Sequence, residues 1–500
     1  MKKYSFVMTF LLCFTVALSP VTACTRVTPP AGNGGIVSTV VPEAKFESVS
    51  NGGSGSVGEG QSFTLDIDAE ADGKNYMKIL LQTSVPLFGK VDYSTTDGSH
   101  VSEDFYIAAS ENEFRMILDF YQDYMGIETV DSVTFSKVNG GGNITVSEVS
   151  LAEFPVSLSG MGRYRGLSDP DDFQIYLAGE GIKIGCSLES GGALNFLSYD
   201  GAKVCRTVGG VYVGVNCESK DNFLSVEESG DVNLLNLYDN GRLVQQSYYG
   251  ISEPPYNPGI YNGSTWKYNP VQGGSQTNGC STIVDLRVGK NEIYVKTRPL
   301  DWAHDFSLTK SYMENWYTIE KSAAGVEYVR VKNAFTDFSG YTHGSSHQEL
   351  PAFYGIAPLG KAVYYSGSTP FTGDTLTEKG DFGFWAAADN AENKIKCTEN
   401  WISWVNEDDW GLGLYVPSVT SVFAGRTFSY YTNYYDSPSE SPETTYAAPL
   451  INYTIRSYTT FGYEYYLTAG ELSLSRSLFA DLHNGGAKNA QIESFGTPTW

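Results

Sequence analysis

Apolar and polar residues alternate over much of the chain, and this alternation predicts short β-strands. In the first third, Phe63, Leu65 and Ile67 alternate with polar neighbours, and residues 144–146 repeat the pattern further on. Where apolar and polar residues alternate with a period of two, one side of the segment faces a core and the other side faces solvent. We therefore predict that residues 44–155 form one β-rich module.

One segment of this module has helical spacing instead. Ser110 and Glu113 match a capping box. The apolar residues that follow recur at helical intervals: Phe114, Ile117, Leu118, Tyr121 and Met125. This spacing predicts a helix that ends at Gly126.

From Phe173 onward the alternation recurs at short intervals, with turn sequences such as Asn240-Gly241 between the segments. The predicted strands are 181–188, 193–199, 211–216, 282–287, 292–297, 326–333, 362–366, 411–416 and 461–467. So long a run of strands favours one large antiparallel sandwich over residues 173–500, and hence an all-β protein. Glycine-rich residues 156–172 are predicted to be a linker. The leucines around Leu478 predict a short closing helix.

Composition narrows the possible partners. Lys+Arg 33 against Asp+Glu 57 gives a formal net charge of −24. This charge excludes a nucleic-acid partner, because such binding needs basic patches that displace counterions. Aromatic residues make up 14% of the chain, and together with 53 glycines they are typical of a β protein with flat ring surfaces and tight turns.

The first residues have the features of a secretory signal. A short basic region precedes the apolar stretch 6–18, which is too short to cross a membrane. The sequence Val21-Thr-Ala-Cys24 resembles a bacterial lipobox, which implies removal of residues 1–23 and a lipid on Cys24. Residues 24–43 would then be a tether to the membrane. The predicted location is the bacterial cell envelope, lipid-anchored and surface-exposed, and the alternative is an ordinary signal peptide with an incidental cysteine.

Besides the lipid-bearing Cys24, five cysteines would remain after this cleavage, an odd number without a Cys-x-x-Cys pair. The pattern predicts neither a disulfide framework nor a zinc knuckle. Cys205 and Cys217 are placed to bridge a hairpin, and buried free thiols are the alternative. His343 and His347 have the spacing of a helical metal pair, but Gly344 disfavours a helix there, so no metal site is predicted. No cofactor is predicted, and the sequence leaves open whether a structural calcium ion is bound.

Two closing segments of the first module carry a family resemblance. Ser132-Val-Thr-Phe-Ser-Lys and Asn143-Ile-Thr-Val-Ser-Glu-Val resemble the last strands of jelly-roll carbohydrate-binding modules. The resemblance implies a β-sandwich that binds glycans. A structural spacer domain is the alternative.

The larger region resembles galactose-mutarotase-like domains in the order of its segments. These are residues 181–201, Asp239-Asn-Gly-Arg-Leu-Val-Gln-Gln and Trp266-Lys-Tyr-Asn-Pro-Val-Gln-Gly-Gly. The resemblance implies a super-β-sandwich of two large antiparallel sheets with a sugar cleft on a concave face. Epimerases, polysaccharide lyases and accessory domains of glycoside hydrolases share that fold, so the fold does not choose the chemistry. The chain departs from true mutarotases, because their His-containing catalytic segments have no match here.

The segment 343–354 is the strongest candidate for chemistry. Glu349 lies between a polar run and the apolar sequence Leu350-Pro-Ala-Phe. Such surroundings raise a carboxyl pKa towards use as a general acid. His347 is two residues away and lies on the same side of an extended segment. A structural carboxylate bonded to backbone amides is the alternative for Glu349.

Two further carboxylates are predicted to be catalytic. Glu399, close to Trp401, fits a partner for Glu349, so that one carboxyl protonates the leaving oxygen and the other activates water or attacks the anomeric carbon. Asp239 lies beside Arg242, whose guanidinium suits vicinal hydroxyls or a uronate. An ion pair that stabilises a hairpin is the alternative for Asp239 and Arg242.

Rings and amides in these segments are predicted to bind sugar, because rings stack on the apolar face of a pyranose while amides bond its hydroxyls. The predicted substrate-binding residues are Arg242, Gln246, Tyr249, Trp266, Asn269, Gln272, Gln348, Tyr354 and Trp401. The predicted function is an envelope-anchored carbohydrate-active enzyme, with a glycoside hydrolase favoured. A uronate-specific polysaccharide lyase and a non-catalytic glycan-binding lipoprotein are the alternatives.

Overall fold

The computed structural model of the chain describes residues 37–109, 111–118, 126–158, 161, 173–200, 206–208, 211–213, 233–235, 242–250, 259–261, 264–277, 279–304, 307–356, 359–380, 382, 391–428 and 443–487. The predicted signal peptide, most of the tether and linker, Asp239 and the Cys205–Cys217 pair lie outside these residues. The described part contains 33 β-strands in antiparallel sheets and one α-helix, which confirms the all-β fold class. Two short 3₁₀ turns occur at Leu188–Ser190 and Ala391–Asn393.

The first ten strands precede the predicted linker. They are β1 Val37–Ser38, β2 Glu47–Ser50, β3 Gly53–Val57, β4 Ser62–Glu70, β5 Tyr76–Thr83, β6 Leu87–Thr95, β7 His100–Ile107, β8 Glu113–Ile117, β9 Ile127–Lys137 and β10 Gly142–Ala152. One sheet has the order β2-β10-β5-β8 with β3 also paired to β10, and the other has the order β4-β9-β6-β7. Ile79, Val91 and Phe135 are buried in a shared apolar core. We call the unit of these two sheets the N-terminal sandwich. β1 lies outside it and pairs with residues 177–178 of a later strand.

The helix predicted after Ser110 is wrong where the structure describes it. Residues Glu113–Ile117 form β8, which pairs with β5 so that Phe114 lies opposite Ile79. Phe114 and Met116 are fully buried, and the intervening Arg115 is only partly so. Phe114 and Met116 therefore alternate as in a strand, although Phe114 and Ile117 have helical spacing, and pairing with a neighbouring strand decides between the two periods. Residues 119–125 lie outside the described part of the chain.

The remaining strands and the helix follow Phe173. They are β11 Gln174–Ala178, β12 Ile182–Ser187, β13 Ala193–Tyr199, β14 Arg206–Val208, β15 Val211–Val213, β16 Gln245–Ser247, β17 Gly259–Tyr261, β18 Ser264–Trp266, β19 Pro270–Val271, β20 Thr282–Val288, β21 Glu292–Arg298, β22 Leu300–Asp301, β23 Ser311–Lys321, β24 Glu327–Asp337, β25 Ser346–Ile356, β26 Lys361–Tyr364, β27 Thr377–Lys379, β28 Lys394–Lys396, β29 Trp401–Val405, β30 Trp410–Tyr415, β31 Ser421–Phe428, β32 Glu443–Tyr453, β33 Thr459–Glu471 and α1 Leu472–Asn484. Each strand predicted after residue 173 coincides with one of these.

Two large antiparallel sheets share the main apolar core. The seven-stranded sheet has the order β22-β19-β16-β25-β32-β31-β28, and the nine-stranded sheet has the order β20-β21-β23-β24-β33-β30-β29-β26-β27. Leu350 and Phe353 of the first sheet and Val331, Leu412 and Tyr465 of the second belong to one buried cluster. We call the side of each sheet turned towards this cluster its inner face and the other side its outer face.

The predicted closing helix is confirmed as α1, which covers part of the outer face of the nine-stranded sheet. Leu478 and Phe479 of the helix are buried against Trp401 and Tyr415. Amphipathic burial of this kind stabilises a helix that is too short to persist alone. No helix in the described part of the chain is long and apolar enough to cross a membrane.

The N-terminal sandwich also packs against the nine-stranded sheet. The backbone N–H of Tyr106 donates to the Tyr312 hydroxyl at 3.2 Å. The guanidinium of Arg298 donates to the carbonyl oxygen of Asp104 at 2.8 Å. Val284, Tyr312 and Phe338 of the large sandwich are buried in the core of the N-terminal sandwich. These contacts and those of α1 are all with the outer face of the nine-stranded sheet.

Candidate functional site

Chemically useful side chains lie on the outer face of the seven-stranded sheet. In β25, Leu350 and Phe353 turn inward to the main core. Tyr354 lies on the opposite side, in a separate cluster with Phe423 of β31 and Tyr446 of β32. The alternation of strand residues therefore separates a purely structural face from a face on which a site can form.

Glu349 holds a half-buried carboxyl group on this outer face. The Tyr446 hydroxyl donates a hydrogen bond to its Oε1. Ser247, its cross-strand partner in β16, bonds the same carboxyl group. Loss of surrounding water raises the pKa of Glu349, and the bonds from Tyr446 and Ser247 only partly oppose this. A carboxyl group with a raised pKa keeps its proton to a higher pH, which suits a general acid.

Aromatic rings form an apolar wall beside Glu349. The Tyr354 and Tyr446 rings lie 4.6 Å apart between centroids, and the Tyr446 and Phe423 rings lie 6.1 Å apart. All three rings are buried. Tyr354, which the sequence predicted to bind substrate, therefore contributes to the low-polarity surroundings of the carboxyl group and offers no exposed ring.

The accessible side of Glu349 is formed by β25 and the end of β16. His347, two residues before Glu349, is exposed, and Tyr249, two residues after Ser247, is half-buried. Ser247 pairs with Glu349, and beyond the end of β16 the Gln348 side chain bonds the backbone of Tyr249. The predicted residues Glu349, His347 and Tyr249 therefore belong to this one part of the sheet.

Two tryptophans continue this face. Trp266 and Trp302 are half-buried, as Tyr249 is. The Tyr249 and Trp266 ring centroids lie 6.4 Å apart with the planes at 85°. The Trp266 and Trp302 centroids lie 4.7 Å apart with the planes at 61°. Tyr249 and Trp266, both predicted to bind substrate, are therefore in ring contact, and whether they bind substrate stays a prediction.

Gln348 lies inside the sheet, where it organises the site instead of contacting substrate. Its amide oxygen accepts from the Tyr249 backbone N–H at 2.7 Å. Its amide nitrogen donates to the Tyr249 carbonyl oxygen at 2.7 Å and to the Tyr453 carbonyl oxygen at 3.3 Å. The buried side chain thus uses its bonding groups within the protein, and the structure does not support the prediction that it contacts substrate.

Gln246 and Gln272 are also placed away from substrate. Both are fully buried between the sheets. The Gln246 amide donates to the Glu314 carbonyl oxygen at 2.9 Å and to Asn315 at 3.0 Å. The Gln272 amide donates to the Gly191 carbonyl oxygen at 3.1 Å. Alternation along β16 turns Gln246 inward, so the predicted sugar contacts of these two amides are wrong.

Asn269, which directly precedes β19, and Arg242, three residues before β16, are both buried. The backbone N–H of Asn269 donates to the Asp301 carboxylate at 3.3 Å, and its carbonyl oxygen accepts from the Trp302 N–H at 2.8 Å. Burial raises the pKa of Asp301 to about 7, against the effect of the backbone N–H groups that bond it. Asn269 and Asp301 therefore hold the turn that carries Trp302.

The prediction that Glu399 meets Glu349 in one cleft is wrong. Glu399 is fully buried under α1, on the outer face of the nine-stranded sheet, and Arg476 binds it through two nitrogens at 2.8 and 3.1 Å. The Trp401 indole and the Phe371 backbone N–H also donate to its carboxylate. A carboxylate with four donors and no exposed surface is a structural anchor. Trp401, buried in the same cluster, is likewise unavailable to substrate.

Asp239 and Cys24 lie outside the described residues. Within the described part of the chain, no group of three or more His, Cys, Asp and Glu side chains is arranged to hold a metal ion. Cys186 and Cys397 are free and buried, and Cys280 is buried as well. Sequence reasoning missed Tyr446, Ser247 and Trp302, and the only local signal for them was an aromatic or polar residue in an alternating segment.

Comparison with known proteins yields structural similarities but no family. No family model matches the chain, and no curated protein matches it. A similarity to a proposed mutarotase of Salmonella typhimurium has 10% identity and a TM-score of 0.28, covering 62% of this chain and 93% of that chain. A similarity to a proposed aldose 1-epimerase of Klebsiella pneumoniae has 10% identity and a TM-score of 0.33, covering 65% and 87%. The 4-α-glucanotransferase of Thermococcus litoralis is similar at 10% identity and a TM-score of 0.27, over 60% of this chain and 37% of that chain. At such low TM-scores, function must be argued from the site itself.

Proposed function

We propose that this protein is a carbohydrate-active enzyme that binds a saccharide on the outer face of the seven-stranded sheet and transfers a proton through Glu349. One observation carries the proposal. A half-buried carboxyl group with a raised pKa lies on the same face as the half-buried rings of Tyr249 and Trp266. Rings that stack on a sugar and an acid that protonates its oxygen are the two parts such an enzyme needs.

Hydrolysis of a glycosidic bond is the reaction we favour. Protonated Glu349 gives its proton to the glycosidic oxygen as the bond to the anomeric carbon breaks, and water then adds to that carbon. The negative charge left on Glu349 is stabilised by the hydrogen bonds from Tyr446 and Ser247. The proton of the attacking water needs a base, for which His347 and Asp239 are the proposed candidates in this chain.

The burial and hydrogen bonds of the site residues favour some of the alternative functions over others. A lyase needs a Tyr or His base. Tyr354 is disfavoured in that role because its ring is buried, whereas His347 is exposed and stays a candidate for it. A glycan-binding protein without catalysis is supported by the two hydrogen bonds that Glu349 already receives from the protein, since these also suit a structural carboxylate. Lipid attachment at Cys24, the envelope location and glycan binding by the N-terminal sandwich stay predictions from the sequence.

A panel of neutral and uronate polysaccharides incubated with the full chain separates these functions. We expect new reducing ends without absorbance of an unsaturated uronate. New absorbance together with reducing ends would indicate a lyase. Retarded migration of the protein in a glycan-containing gel without any product would indicate a binding protein, and neither product nor retardation with any glycan would contradict all three.

A further inference from the structure

The rings on the outer face extend beyond the position of Glu349. Tyr249 follows β16, Trp266 ends β18 just before β19, and Trp302 follows β22. In the seven-stranded sheet the order is β25, β16, β19, β22, whereas β18 pairs with β17 in a separate two-stranded sheet. Because the Trp266 ring contacts both Tyr249 and Trp302, the three half-buried rings form a row from the end of β16, the strand next to Glu349 in β25, to the edge strand β22.

The row is held in place by backbone bonds that do not depend on a ligand. Gln348 bonds both the N–H and the carbonyl oxygen of Tyr249, each at 2.7 Å. The N–H of Trp302 donates to the Asn269 carbonyl oxygen, and its own carbonyl oxygen accepts from the Gln276 N–H, each at 2.8 Å. Rings fixed in this way lose little conformational entropy on binding, which favours affinity.

We propose that Tyr249, Trp266 and Trp302 form a ring subsite for sugar units beyond the one at Glu349, so that the ligand is an oligosaccharide or polysaccharide chain and not a monosaccharide. The proposal rests on the proposed function. One pyranose at the carboxyl group covers at most the nearest ring, whereas a chain presents successive apolar faces to successive rings. Trp302, which is most distant from Glu349 in the sheet order, contacts only the outer units of such a chain.

The test is affinity as a function of chain length, measured by calorimetry on the full chain. The probes are saccharides of one to four units derived from cellulose, xylan and starch. For the series that binds, we expect affinity to rise with length, and Trp302→Ala to lower the affinity of the tetrasaccharide by about tenfold while leaving the monosaccharide unchanged. Trp316→Ala is the matched control, since Trp316 is also half-buried and lies 5.1 Å from the Tyr294 ring, but on the outer face of the nine-stranded sheet.

The outcomes distinguish this proposal from the proposed function. Equal affinity for one and four units, or equal effects of Trp302→Ala and Trp316→Ala, would overturn the ring subsite and leave a monosaccharide site at Glu349 intact. Absence of binding by any saccharide to the unaltered chain would overturn both. Melting temperatures of the two variants show whether either substitution acts through stability, and Trp302→Phe is expected to recover part of the lost affinity if stacking is the cause.

Discussion

Glu349→Gln is expected to lower turnover of the glycan substrate by about 10²–10⁴-fold while changing its affinity by less than about threefold. Glutamine has the same shape as glutamate and still accepts the hydrogen bond from Tyr446, but it has no proton of suitable acidity to transfer. The effect therefore falls on kcat and not on binding. Reducing-end assays at several substrate concentrations, together with affinity electrophoresis of the same preparations, measure both quantities.

Glu314→Gln provides the matched control. Glu314 is also half-buried, and the Tyr294 hydroxyl donates to its carboxylate at 2.7 Å. This pair repeats the Glu349–Tyr446 arrangement on the outer face of the nine-stranded sheet. Equal losses of turnover in the two variants would show that the effect is on folding, and full activity in Glu349→Gln would exclude Glu349 as the acid.

The acid role proposed for Glu349 predicts the direction in which turnover changes with pH. Burial raises the pKa of Glu349 above the ordinary value of 4.5, so an acid role predicts that turnover falls as pH rises through the raised value. The same shift means that the folded state holds this proton more tightly than the unfolded state. The contribution of Glu349 to stability therefore decreases with rising pH between 4.5 and the raised pKa, and Glu349→Gln removes that dependence.

Arg476→Ala is expected to destabilise the protein by about 3–5 kcal/mol, because it leaves the buried Glu399 without its counter-charge. Glu399 is fully buried, and Arg476 is the cation that binds it with two nitrogens and also donates to the Asp374 carbonyl oxygen. The loss would appear as a lower midpoint in denaturant unfolding. Turnover of the fraction that remains folded is expected to be unchanged, since this anchor lies on the nine-stranded sheet.

Lys90→Ala is the control for that result. Lys90 pairs with Asp92 at 3.0 Å, but the two side chains are exposed by 45% and 27%, Ser102 and Ser132 also bond Asp92, and water screens such pairs. No measurable change in the unfolding midpoint is expected. An equally small change for Arg476→Ala would contradict the structural role of Glu399, and loss of turnover without loss of stability would restore Glu399 as a catalytic candidate.

Most of the fold could be predicted from the sequence, because its signals are local. Alternation identified strands such as β20 and β21, and the spacing of leucines identified α1. The missed strands β25 and β32 contain runs that are buried on both sides, such as Leu350–Ile356, so they show no alternation. The helix predicted after Ser110 failed because Phe114, Ile117 and Leu118 have helical spacing while Phe114 and Met116 also alternate as in a strand, and only pairing with β5 decides.

The site was harder to predict, because its contacts join distant residues. Glu349 was identified from its apolar neighbours, which are local. Its hydrogen-bond donor Tyr446 is 97 residues away, and Arg476, which binds Glu399, is 77 residues away. Nothing in the sequence around Glu399 distinguishes an anchor from a catalytic acid. Likewise, Gln246 and Gln348 have the composition of a sugar site, and only the register of β16 and β25 turns them inward.

A crystal structure of the Glu349→Gln variant with a bound oligosaccharide tests the central claim most directly. The expected result is a sugar unit whose glycosidic oxygen lies within hydrogen-bond distance of the substituted amide side chain, with a further unit over Tyr249 or Trp266. A saccharide bound instead on the outer face of the nine-stranded sheet, beside Trp316, would contradict the proposed site at Glu349.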